Sequence, residues 1–149
     1  MSGEPDLKQG KRIIDHDAIR RAKLRYPECA SCEHGGMNGH HVLPKDARPA
    51  GDDVIENIIS LCGSGTTGCH GAEHGNPYTD EHGKRWTTED VRRAIGRHLL
   101  AERPDVIFYV LSRCGIAAGQ YFLWEHYYIE PDEAVPTTAL LDLERRAGG

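Results

Sequence analysis

The chain has 149 residues, 38% hydrophobic and 28% charged, which suits one compact domain with a small appendage and excludes a mostly disordered protein. Its formal charge of −5 is unevenly placed: Lys11, Arg12, Arg20, Arg21, Lys23 and Arg25 face only Asp15 and Asp17 in that stretch, whereas residues 101–149 carry −4. The acidic total therefore does not exclude nucleic acid, because a local basic stripe is what meets phosphates.

Residues 1–10 are polar and read as a flexible leader, with no apolar core of a signal peptide. Asp15 can cap a helix running to about Arg25, with Ile19, Ala22 and Tyr26 on one side, and Pro27 ends it. The stretch from Cys29 to Gly75 is glycine-rich with brief apolar runs, too little for a core by burial alone, so a structural metal is expected there. Two strands are predicted in it, Gly39 to Leu43 and Ile58 to Leu61, separated by a polar loop from Pro44 to Glu56. Gly68 to His74 reads as a short helix and Gly75 to Trp86 as a polar connector.

Thr87 or Thr88 then caps a helix with Val91, Ile95 and Leu99 on its apolar stripe. Pro104 opens a second, with Val106, Ile107, Val110, Leu111 and Cys114 inward and Gly115 as its stop. A third spans about Ile116 to Tyr128, with Tyr121, Phe122, Trp124 and Tyr128 supplying bulk. Residues 130–149 form an acidic tail expected to be loosely held. No apolar run approaches the roughly 20 residues of a membrane helix, so a cytoplasmic protein with reduced thiols is expected.

In that setting clustered cysteines point to metal before disulfide. Cys29-x2-Cys32 is a knuckle whose thiolates can reach one tetrahedral ion, and Cys62 and Cys69 can complete a four-sulfur zinc shell. The intervening Gly63-Ser64-Gly65-Thr66-Thr67-Gly68 supplies flexible backbone, and without a following Gly-Lys-Ser/Thr it is not a phosphate cradle. His70 and His74 are four apart, hence on one helix face. His40 and His41 alternate across a strand, so one can join the ion held by His70 and His74 while the other stays beside it, near a pKa of about 6.5 suited to a general base. Three imidazoles with open positions make a catalytic rather than a closed structural site.

The run Cys29-Ala-Ser-Cys32, Gly39-His40-His41-Val42-Leu43-Pro44, Glu56-Asn57-Ile58-Ile59-Ser60-Leu61-Cys62 and Cys69-His70-Gly-Ala-Glu-His74 resembles the HNH endonucleases. What the resemblance implies is an α+β fold: a small ββα-metal (His-Me) finger with a structural zinc knuckle, flanked by an N-terminal helix and a C-terminal helical segment. It implies a nuclease core over 11–86 and a helical extension over 87–129. His40, His70 and His74 would hold a catalytic divalent cation (Mg2+, Mn2+, Ni2+, Co2+ or Zn2+), His41 would activate water, and Asn57 would anchor the loop that orients it. Zn2+ would sit on the four cysteines. The product would be a DNA strand with a 5′-phosphate and a 3′-hydroxyl. Phosphates would be met by the N-terminal bases, Arg20, Arg21 and Lys23 foremost, with Lys84 and Arg85.

The whole chain is also similar to small phage and prophage HNH proteins, some of which act beside a packaging terminase in the host cytoplasm. A zinc-bearing DNA-binding or assembly module that cuts nothing is the competing reading. A metallohydrolase acting on another substrate is disfavoured, because no apolar pocket is expected around the histidines.

Overall fold

The structure is a computed structural model and describes residues 11–36 and 38–134. The leader and the tail beyond residue 134 lie outside the described residues. Among those described, the fold is mixed α+β, with two two-stranded antiparallel sheets and six α-helices.

Helix α1 (His16–Arg25) starts where Asp15 accepts the backbone N–H of Asp17, as its sequence predicts. Its buried face is Ala18 and Ala22, which with Ile58 form a small apolar cluster. Tyr26 closes the helix instead of lining it. Strand β1 (Asn38–His41) pairs with β2 (Ile58–Leu61), His40 opposite Ile59 and His41 opposite Ile58. Glycine is required at position 39 for close packing: a Cβ there would stand 2.7 Å from Cγ2 of Ile19 on α1. Val42 and Leu43, expected on the strand, leave the ladder and turn into the core.

The polar loop between the strands is not a solvated excursion. It ends in a 3-10 turn (Ile55–Asn57) and buries Asp52, Asp53 and Asn57. An added Cβ at Gly51 would collide with the Leu43 carbonyl, so the loop folds tightly onto the end of β1. Helix α2 (Gly68–Glu73) follows, closed by His74. The predicted connector contains a hairpin, β3 (Tyr78–Thr79) with β4 (Arg85–Trp86). Asp80 fastens it by accepting the His82 and Lys84 N–H groups and the Trp86 indole.

Helix α3 (Thr88–Glu102) opens on a capping box of Thr87 and Asp90. Helices α4 (Pro104–Cys114) and α5 (Ile116–Tyr127) meet at Gly115, whose φ of 90° suits glycine. The inward face of α5 is Gly119, Leu123 and Tyr127; Tyr121 and Trp124, expected as bulk, are 66% and 45% exposed. This helix is apolar nearly all round, so its composition alone does not mark the packed face. A short helix α6 (Pro131–Ala134) ends the described chain.

One core joins the segment of β1, β2 and α2 to the helices that follow. Cys29, Val42, Leu43, Ile59, Leu61, Cys69 and Ala72 share it with Val91, Leu99, Val106, Leu111 and Leu123. Arg103 crosses this junction fully buried, donating to the carbonyls of Ile58 (2.9 Å) and Ile55 (2.8 Å) and stacking 3.7 Å from the Tyr26 ring centroid.

Candidate metal centres and their cleft

Cys29 and Cys32 come from the turn after α1, Cys62 from the end of β2 and Cys69 from α2; one sulfur from each can lie within 4.8 Å of the other three. The six-residue gap closes because Gly63, with φ of 85°, starts a tight turn in which Ser64 and Thr67 bond each other. The Cys69 N–H is thereby brought 3.4 Å from the Cys62 sulfur. Cys32 and Cys62 sulfurs are 3.7 Å apart, near the ~3.8 Å edge of a tetrahedron with metal–sulfur bonds of about 2.3 Å. The donor set and spacing fit a metal such as zinc. Donation from the Cys69 thiol lowers the Cys29 pKa to about 4, while burial pushes Cys32 up to about 12.

The peptide bond from Cys69 leads directly to His70, and a second cluster forms on the other side of α2. His40, His70 and His74 each offer a ring nitrogen within 4.8 Å of the other two. The Nε2 atoms of His70 and His74 are 3.2 Å apart, close to the ~3.3 Å that two imidazoles on one tetrahedral ion adopt at about 2.0 Å each. The set can hold a divalent transition ion. Burial is the main cause that drives the His40 pKa down to about 3, so its imidazole is neutral and able to ligate. Glu73, buried between them in sequence, lies 3.6 Å from His40 Nε2 and binds Arg92 at 3.1 Å.

His41 points away from that trio, as strand alternation requires, yet lines the same cleft of about 870 Å³. Val42, Pro44 and Tyr127 give this cleft an apolar part, against the expectation from sequence, among imidazoles, Lys45, Glu73 and Arg92. His41 is not left free either. Its Nε2 bonds Asp53 Oδ1 at 2.8 Å, and burial lowers its pKa against the opposing pull of that carboxylate.

Asn57 is fully buried and ties the loop to the end of β1: it accepts from Leu43 N and donates to the carbonyls of Leu43 and Asp52. It has no hydrogen bond to His41; the contact is made by Asp53 four residues earlier. Asp53 was legible only as one more acid in a polar loop.

The candidate phosphate contacts lie elsewhere. Arg20 and Arg21 pair with Asp17 on the exposed side of α1, and Arg21 also reaches Asp15. Lys23 lies on the same helix, Lys84 covers the Trp86 ring at 3.9 Å, and Arg85 is exposed on β4. None of the five lines the cleft; Lys45 and Arg92 do, and His126 joins them from α5. No helix of the described residues is long and apolar enough to cross a membrane. No protein-family model matches the chain, and neither a curated protein nor a solved structure is significantly similar to it.

Proposed function

We propose that the chain is a metal-dependent HNH endonuclease that hydrolyses DNA phosphodiester bonds, its site built as a ββα-metal finger. One observation carries this reading. A histidine from β1 and two from α2 converge at 4.8 Å or less, with a fourth imidazole beside them in an open cleft. A closed structural site has no use for that fourth group.

The bound ion would supply positive charge beside the scissile phosphate as negative charge develops. The chain's own residues do the rest. His40, His70 and His74 hold the ion; the sulfur site fixes the start of α2, hence the direction of His70. His41 takes a proton from water, whose oxygen bonds phosphorus as the bond to the 3′ oxygen breaks. The 3′ oxygen collects a proton from solvent, giving a 3′-hydroxyl and a 5′-phosphate. Lys45 and Arg92 stand at the cleft to receive flanking phosphates.

Plasmid cleavage across Mg2+, Mn2+, Ni2+, Co2+ and Zn2+ tests the reading. His41→Ala should lower cleavage by roughly 10²–10⁴-fold while metal and DNA binding persist, because a base acts in the transition state. His70→Ala should weaken the metal itself. A wild-type chain that binds an ion at the histidines and cuts DNA with none of these metals would refute it.

A further inference from the structure

We propose that Asp53 is the positioning carboxylate of His41, holding the ring so that Nε2 carries the proton and Nδ1 presents its lone pair to water. The inference rests on the endonuclease reading and deepens it. Asp53 is buried, and its two oxygens are fully engaged. Oδ1 takes His41 Nε2 at 2.8 Å and the Arg12 guanidinium, while Oδ2 takes the Asp15 N–H at 3.0 Å. A carboxylate held between a guanidinium and a backbone amide stays an acceptor, so the hydrogen on the shared His41 bond belongs to the ring. The remaining ring nitrogen is then the one able to accept a proton.

The surroundings keep Asp53 in place from two sides. Residues 12–15 lie along the loop as a strap: Arg12 Nε donates to the Gly51 carbonyl, Ile13 N to Asp52, and Asp53 N to the Ile13 carbonyl. From the other side, Tyr109 and Arg113 of α4 bind Asp52, at 2.6 Å and 3.5 Å. A hydrogen-bonded orienting group of this kind sets tautomer and ring direction, and its loss lowers turnover more than binding.

The test compares wild type, Asp53→Asn, His41→Ala and the double variant in steady-state cleavage. Alongside it, ¹⁵N spectra of the His41 ring are recorded in the zinc-loaded full chain. Asp53→Asn should lower kcat about 100-fold or more with KM changed less than about threefold. It should cost nothing further in the His41→Ala background. The wild-type ring should show protonated Nε2 and unprotonated Nδ1, and Asp53→Asn should lose that preference. A kcat within about threefold of wild type, an equal loss with and without His41, or a wild-type ring protonated at Nδ1 would each overturn the proposal. The ring spectra decide it even where Asp53→Asn fails to fold. An inactive wild type with the Nε2-protonated ring sinks the endonuclease reading and leaves the positioning contact supported.

Discussion

Replacing Arg103 by alanine should be among the most damaging single changes outside the metal sites. The side chain is fully buried, and its Nη1 and Nη2 satisfy the carbonyls of Ile58, at the start of β2, and Ile55, in the 3-10 turn before it. Truncation leaves both carbonyls without that donor, at roughly 1–2 kcal/mol each. The lost stacking on Tyr26 adds about 1 kcal/mol or more. The ion pair to Asp105 is discounted, since that carboxylate is 36% exposed and solvent takes over. The sum is about 3–5 kcal/mol, or a melting temperature lower by roughly 10 °C for a chain of this length. Urea and thermal unfolding followed by circular dichroism, with metal kept saturating, measure it. Asp105→Asn, the control, should cost less than about 1 kcal/mol. An Arg103→Ala loss under about 1 kcal/mol would show that β2 and the C-terminal helices do not depend on this crossing.

The isolated protein should carry about one tightly held zinc per chain, and Cys29→Ser or Cys69→Ser should release it and lower the melting temperature; elemental analysis with calorimetry decides this, and retention in both variants would refute the sulfur shell. Lys45→Ala should weaken DNA binding on many sequences alike and flatten its salt dependence by roughly 0.9 log–log units, the effect of one phosphate contact. Arg20→Ala with Arg21→Ala should flatten it less, because both guanidiniums already face Asp17; fluorescence anisotropy against salt compares the two, and the reverse order would move the DNA path onto α1.

Spacing along the chain made the donors readable. Cys29-x2-Cys32 and His70-x3-His74 are each set by one local turn, and Thr87, Pro104 and Gly115 punctuate helices by backbone rules that need no tertiary context. The unread features depend on partners distant in sequence. Asp53 meets His41 only because the loop doubles back under the strap, and Arg103 looks like a surface base until Ile55 and Ile58, more than 40 residues away, require a donor. The hairpin of β3 and β4 escaped because two-residue strands are too short to alternate. Its signals were the paired aromatics Tyr78 and Trp86 around an Asp80–Gly83 turn.

The single peptide bond between Cys69 and His70 has a thermodynamic corollary. Helix α2 has only six residues, too few to persist through its own hydrogen bonds. Were both clusters loaded, the first ion would carry the entropy of ordering that helix, and the second would find its donors assembled. Linkage makes the advantage mutual: each ion tightens the other by the same factor. A chelator that strips the imidazole site should therefore also loosen the thiolate site. Reconstitution should then need both ions together, and the affinity gained at each site should not depend on which is added first.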